Sequence, residues 1–513
     1  MITGKNLVNG HATSNAGGPS FQCLKATTAT PIAPSFEEAG AHQVEDAVAA
    51  AAAAFPLFAQ SSAQTRAELL TKIKAALEAD EADILNRYQE ESGYPEGRAK
   101  GEFQRTLGQI QSFVDLLQEG SYVQARIHQV DNTPLIRKML FPIGPVVVFG
   151  ASNFPLAFST AGGDTISALA AGCPVVLKAH PYHAGTSTLV AQSMLRALAD
   201  TALPAGVFSH LNGKSYAVGE ALVLHSEIKG VGFTGSFRGG KALYDLAQTR
   251  SEPIPVFAEM GSINPIFIFP NRLEKDSTIA EQVAASIALG CGQFCTNPGL
   301  IVIKSSAAKP LLIKKLQQAL WQQNAGNMVH PNIFKNYEQS LKTLSKKAPS
   351  ISKTEHSKAA LGVVSAAQFL ADKTLSEEVF GPFSLVVHCQ TLQEMQAVMA
   401  SLPGQLTLTL LADPADENAL GEMLPEAQKK AGRLLFEGVP TGVAVTQAMH
   451  HGGPFPATTD GRFTSVGTDA IYRWLRPLSF QDCPDALLPK ALQKENPLRL
   501  WRSINGTLTQ AQG

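Results

Sequence analysis

The sequence predicts an α/β protein built from two parallel-sheet domains. Three observations carry this. Short β-branched runs alternate with helical stretches through the middle of the chain. The same alternation returns, more loosely, in the second half. The composition is that of a chain with a large core: 44% hydrophobic and 17% charged over 513 residues, with 42 glycines and 31 prolines. That balance argues against disorder, and the length exceeds one ordinary domain.

Residues 3–36 are rich in Thr, Ser, Pro and Gly and read as an extended leading segment with edge strands. Residues 45–115 read as mostly helical, with apolar residues three and four apart (Leu69, Leu70, Ile73, Ala76, Leu77). The Ala-rich stretch 48–55 is apolar on all sides and short, which suits a buried helix segment. Residues 122–140 mix polar and β-branched types and read as a loop or an arm leaving the body. Residues 145–149 (PVVVF) read as a buried strand, 160–171 as a helix stopped at Gly172, and 175–177 as the next strand. Helices over 186–202, 217–225 and 239–249 then alternate with strands over 207–211 and 230–233. Such runs with short links predict a parallel sheet covered on both faces. A second α/β domain begins near Ser262. It has helices over 279–289, 392–401 and up to about 430, and strands over 300–303, 385–388 and 406–411. The Pro- and Leu-rich tail after Trp474 reads as an oligomer contact.

Several classes are excluded. With 42 basic and 43 acidic residues the formal charge is −1, so no basic field holds a nucleic acid. No apolar run reaches the ~18 residues of a membrane span, and residues 1–10 lack a signal-peptide core. Six scattered cysteines fit free thiols in a reducing compartment, hence a cytoplasmic protein.

The sharpest local signal is GQFCTNPG, 292–299. A lone cysteine is usually a small buried hydrophobe. The neighbours Gln293, Thr296, Asn297 and Pro298 are not core-like, however, and suggest a loop or helix start opening on a cleft, where terminal amides would raise the thiolate fraction of Cys295. Cys291 lies four residues earlier, but no other Cys or His pair has zinc spacing, so no metal is expected. FGASNFP, 149–155, follows a strand, where open α/β sheets bind ligands. Asn153 there is either an oxyanion donor or an ordinary Asx turn. In AEMGS, 258–262, Glu259 is either a general base with a pKa raised by apolar surroundings or a solvated loop carboxylate. Residues 235–241 satisfy G-x-x-x-x-G-K, but Ala242 stands where a P-loop needs Ser or Thr. What survives is a helix N-terminus suited to phosphate. The fingerprint G-x-G-x-x-G is absent, so an ordinary Rossmann dehydrogenase is not supported either. His450 and His451, before two glycines, read as surface histidines of a glycine-rich loop.

Six stretches in order resemble the aldehyde dehydrogenase superfamily: SNFP (152–155), VVLK with AHP (175–181), FTGS (233–236), EMG (259–261), GQFC (292–295) and EVFGP (378–382). FGASNFP, the Lys178-Ala-His-Pro variant, GQFCTNPG and the loop 450–467 look like the 2-oxoglutarate semialdehyde (2,5-dioxopentanoate) dehydrogenase branch. The resemblance implies a cofactor domain of residues 1–121 and 142–261, a catalytic domain of residues 262–475, and a small β oligomerisation arm with tail, residues 122–141 and 476–513. It implies Cys295 as nucleophile, Asn153 as oxyanion donor and Glu259 as the base for a deacylating water. It further implies Lys178 at the cofactor ribose, Ser236 at the pyrophosphate and Glu378 at the nicotinamide ribose. A homodimer or homotetramer is expected.

Departures matter. NAD-preferring relatives carry an acidic residue three positions after the lysine; here it is Pro181. Nothing there repels a 2′-phosphate, and Lys178 and His180 attract it, so NADP is expected to be preferred, with NAD possible. The family's glycine pair after the glutamate is Gly261-Ser262, and its Pro-Phe-Gly-Gly is replaced by Gly453-Pro-Phe-Pro456, which is expected to reshape the substrate mouth. A carboxylate-bearing aldehyde needs a cationic anchor, for which Arg105 is the candidate, set against a solvated helix arginine. The competing readings are a CoA-acylating semialdehyde dehydrogenase, a catalytically silent relative and a P-loop ATPase. Glu259, the set Cys295–Asn153–Glu259, and Ala242 respectively discriminate against them.

Overall fold

The computed structural model describes residues 2–130, 133–276, 278–305, 309–324, 326–348, 350–354 and 358–512; Asp131 and Asn132 of the expected arm lie outside these. The first sheet has the order Val256–Glu259, Gly230–Thr234, Val146–Phe149, Val175–Lys178, Phe208–Leu211, Asn6–Val8, His11–Thr13. Its first five strands are parallel, and the last two add antiparallel. Val146–Phe149 is buried along its whole length, as the unbroken apolar run requires of a strand covered on both faces.

Register puts Phe149 beside Lys178, Lys178 beside Leu211, and Thr234 beside Glu259. The carboxyl ends of these strands therefore share one edge. The turn carrying Asn153 rises from that edge.

A second sheet runs Ser352–Lys353, Ala360–Ser365, Phe383–Cys389, Leu300–Lys304, Ile266–Ile268, Gln405–Leu411, Ala431–Leu435. All its pairings are parallel except the first. Cys295 precedes Leu300–Lys304, Glu378 precedes Phe383–Cys389, and Ser262 precedes Ile266–Ile268. The site thus lies between the carboxyl edge of the first sheet and the amino edge of the second. Residues 450–466 tie the two edges together: Met260 N–H donates to Ala457 O (2.8 Å), and Glu259 bridges Thr458. A third sheet joins Leu475–Gln481, Ile136–Pro142, Arg126–His128, Arg502–Ile504 and Thr507–Thr509.

The helical region after residue 40 is four helices, Ala41–Gln60, Ala63–Ala79, Glu81–Ser92 and Glu96–Glu119. Ser62 caps the second by accepting from Thr65 N–H (3.0 Å), and Gly93 and Gly120 end the last two in the left-handed conformation. The Ala-rich stretch is not buried all round. Ala47, Val48, Ala51 and Ala54 form one buried face, because alanine is a helix former before it is a core residue. The tail after Trp474 is no plain coil, since its first seven residues form a strand of the third sheet.

Trp474 locks the body to that sheet. It is fully buried, its Nε1–H donates to Ser167 Oγ (2.8 Å), and it packs edge-on against Phe257 (5.4 Å). Trp474→Ala is expected to cost about 3–5 kcal/mol, read as a lowered denaturant midpoint; an unchanged midpoint would show that this contact is dispensable.

Candidate active site

Cys295 sits in a turn after a kinked segment, Leu289–Gly292, in which Gly290, Cys291 and Gly292 all have positive φ (58°, 59° and 67°). A Cβ on Gly292 would lie 2.1 Å from the Gly381 carbonyl carbon, so close backbone approach and conformation both require glycine. No helix begins at Cys295, and its neighbours do not open on solvent. Gln293, Thr296 and Asn297 are buried, and the first and last are hydrogen-bonded. They were polar in sequence because they fasten the turn: Gln293 Oε1 accepts from Val329 N–H (3.0 Å), and Asn297 Nδ2 donates to Gly381 O (3.3 Å).

A polar network from the second sheet holds the turn from below. Asn264 Nδ2 donates to Cys295 O (2.8 Å) and Asn297 O (3.0 Å). Ser262 Oγ donates to Gln405 Oε1 (2.9 Å) and accepts from Leu406 N–H (3.0 Å). The serine that departs from the expected glycine pair also meets Asn264 Oδ1 (3.1 Å), and so belongs to the network beneath the Cys295 turn.

The structure brings Asn153, Glu259 and Cys295 together. Asn153 is 8% exposed, and its Nδ2 donates to Gln293 O (2.9 Å), leaving the second amide hydrogen free for an oxyanion. Helix Glu96–Glu119 sets its turn. Arg98 Nη2 (3.0 Å) and Tyr94 Oη (3.3 Å) donate to Asn153 O, while Glu102 Oε1 accepts from the N–H groups of Leu156 and Ala157 (2.8 and 3.0 Å). The Arg98 guanidinium also lies 5.0 Å from the Phe154 ring and 4.6 Å from Phe294, touching the turns of both Asn153 and Cys295.

Two sequence expectations are corrected. His451 is no surface residue: it is 1% exposed, its Nε2 3.0 Å from Glu259 Oε1 and 3.5 Å from Cys295 Sγ. Glu259 is 3% exposed, yet its pKa is lowered. Burial alone would raise it, but His451 and the hydroxyl of Ser465, which donates to Oε2 (2.6 Å), together outweigh burial. Neither partner is near Glu259 in sequence, so the local apolar run gave the wrong sign.

The half-buried Cys295 thiol is pushed well above its ordinary value, first by desolvation and then by the neighbouring Glu259 carboxylate. This reverses the expectation of a thiolate favoured by helix amides. Phe455, in the stretch that replaces Pro-Phe-Gly-Gly, is exposed and packs on Phe237.

Lys178 ends its strand half-buried, its pKa pulled down to about 8 by desolvation. His180 is held neutral by desolvation and by His183 and Lys178, so it offers hydrogen bonding, not charge, to a phosphate. Ser236 Oγ caps the helix Phe237–Gln248 by accepting from Gly239 N–H (3.2 Å). Lys241 is committed to Asp245 (2.7 Å). Glu378 is raised to about 7 by desolvation, and a Cβ on Gly261 would lie 2.2 Å from its Oε2.

Arg105 is not a solvated helix arginine. Nη1 donates to Val443 O (3.0 Å), Nε and Nη2 are buried with no partner, and the guanidinium lies 5.5 Å from the Phe158 ring.

Comparison with known proteins agrees with this architecture. Residues 13–416 match the model of the aldehyde dehydrogenase family. The chain is 43% identical to alpha-ketoglutaric semialdehyde dehydrogenase 2 of Azospirillum brasilense, covering 99% of each chain. It is 41% identical to alpha-ketoglutaric semialdehyde dehydrogenase of Acinetobacter baylyi, again over 99% of each. Its fold matches a putative methylmalonate-semialdehyde dehydrogenase of Sinorhizobium meliloti complexed with NAD, with a TM-score of 0.78 at 19% identity over 94% of this chain and 98% of that one.

Because the Glu259 charge raises the Cys295 thiol, alkylation of Cys295 in the free protein is expected to accelerate as pH climbs past 9. Glu259→Gln removes that charge and is expected to speed alkylation at pH 8, about tenfold for each unit of lowered pKa. Equal rates in both proteins would show that the carboxylate does not act on the thiol.

Proposed function

This chain belongs to the aldehyde dehydrogenase family, and on that premise we propose that it oxidises 2-oxoglutarate semialdehyde to 2-oxoglutarate, releasing the acid to water. It is an NAD(P)-dependent aldehyde oxidoreductase. The semialdehyde assignment draws on its two full-length relatives. The observation that carries the hydrolytic reading is a carboxylate kept ionised beside the nucleophile by His451 and Ser465.

Cys295 Sγ adds to the aldehyde carbon. His451 Nε2 is shared: bearing hydrogen it donates to Glu259, and lacking one it accepts from the thiol. Asn153 Nδ2 and the Cys295 N–H stabilise the oxyanion. A nicotinamide held in the cofactor site would supply the hydride acceptor, and Cys295 would then carry the acyl group as a thioester. Glu259 then takes a proton from water, which attacks the thioester carbon and frees the acid and the thiol. An ionised base serves this step better than it serves CoA acylation, where the attacking thiol brings its own nucleophilicity.

The residues fit a dinucleotide. Gly261 gives the Glu378 carboxyl room, Ser236 opens the helix Phe237–Gln248 toward a pyrophosphate, and Lys178 stands at the strand end for the ribose. Pro181 in place of a carboxylate supports NADP over NAD, with Lys178 as the attracting charge. Arg105, with two unpartnered nitrogens, anchors the substrate carboxylate. Residues 1–121 and 142–261 bind the cofactor, and residues 262–475 carry the nucleophile. Residues 122–141 and 476–513 pair subunits as a dimer or tetramer, a reading supported by exposed Leu498, Trp501 and Leu508. Six free cysteines support a reducing, cytoplasmic setting. Among the described residues no helix is long and apolar enough to cross a membrane.

NADP⁺ reduction with 2-oxoglutarate semialdehyde, without CoA, is expected for the wild type and not for Cys295→Ala; turnover only with CoA would replace hydrolysis by acylation. Asn153→Ala is expected to lower kcat by about 10²–10³. Arg105→Ala is expected to raise KM for this acid and not for a neutral aldehyde of similar length; equal effects on both would remove Arg105 as the anchor. A large kinetic preference for NAD would overturn the NADP assignment.

A further inference from the structure

We propose that Cys295, His451 and Glu259 form a three-ligand zinc-binding site whose occupancy switches the enzyme off. Their ligand atoms, Sγ, Nε2 and a carboxylate oxygen, all lie within 4.8 Å of one another, and no other such group occurs among the described residues. Tetrahedral zinc with ordinary bond lengths sets its sulfur and imidazole nitrogen about 3.5 Å apart, and its nitrogen and carboxylate oxygen about 3.3 Å apart. The observed separations are 3.5 Å and 3.0 Å. Two edges of the coordination polyhedron are therefore in place before any ion arrives.

The donor set suits the ion. Thiolate and imidazole are soft or borderline ligands that favour zinc over magnesium or calcium. Ser465 Oγ, 2.6 Å from the outer carboxylate oxygen, orients Glu259 as a partner behind the ligands does at built metal sites. The fourth position is left to water. The three ligands come from segments far apart in the chain, so no Cys–His spacing could announce them.

Binding replaces the thiol proton with the metal, forming a sulfur–zinc bond and releasing the proton to solvent. The nucleophile, the group that accepts its proton and the base for deacylation are then all held on one ion. No oxidation occurs, so a chelator reverses the block. Affinity rises with pH, because zinc competes with a proton for the sulfur.

The test uses the full-length reduced protein without cofactor, in thiol-free buffer. Equilibrium dialysis against Zn²⁺ is expected to give one ion per chain. Co²⁺ is expected to show thiolate-to-cobalt charge transfer and the visible bands of a tetrahedral site. Cys295→Ala and His451→Phe are each expected to weaken binding at least tenfold and abolish the charge-transfer band, while Cys483→Ser leaves both unchanged. Each variant's thermal midpoint checks its fold, and Cys295→Ala, a small change at a half-buried position, still decides if His451→Phe fails to fold. Zinc is expected to stop aldehyde turnover and excess chelator to restore it. Binding that survives Cys295→Ala, or no stoichiometric binding, overturns the site; binding without loss of turnover overturns the switch. The dialysis and spectra need no aldehyde, so their outcome is independent of the substrate assigned above.

Discussion

A carboxylate buried between two sheets is the constraint around which this structure is arranged. An unpaired charge in such a place is strongly destabilising, so Glu259 must be met by partners. His451 and Ser465 meet it, both from the segment that crosses between the sheets. The same contacts keep the carboxylate ionised, and that charge helps hold the Cys295 thiol protonated. The Glu259 carboxylate is thus charged and the Cys295 thiol neutral. Since the thiolate is the reactive form, the sulfur stays inert until its proton has somewhere to go.

Around this pair, two rigid supports fix the reacting atoms. On one side, the helix Glu96–Glu119 presents Arg98, Glu102 and Arg105 on a shared face at helical spacing. Arg98 and Glu102 hold the turn of Asn153; Arg105 points its free nitrogens into a buried space. From the second sheet, Asn264 holds the Cys295 turn by its backbone carbonyls, and Ser262 and Gln405 bond to one another beneath it. Such hydrogen-bonded supports restrain the turns they hold, which is what a site needs for close placement.

Much of the fold was legible in sequence because its signals are local. The run PVVVF can only be a doubly covered strand, and Gly172 ends a helix as its left-handed φ of 97° requires. GQFC and SNFP mark two turns and EMG a strand end that the fold brings together. The errors had a common cause. Glu259 and Cys295 were read from adjacent residues, whereas their charge states depend on groups up to 206 positions away. Gln293 and Asn297 read as lining a cleft because they are polar, and they are buried because backbone groups around the turn need them.

The sequence by itself determined the alternation of strands and helices and the family resemblance, since periodicity, turn chemistry and short motifs act over a few residues. Only the tertiary structure decided that His451 faces inward, that Glu259 is ionised and the Cys295 thiol protonated, and that Arg105 leaves the solvent. Burial and electrostatic partnership are sums over whatever the fold brings within a few ångströms, and chain distance carries no record of them.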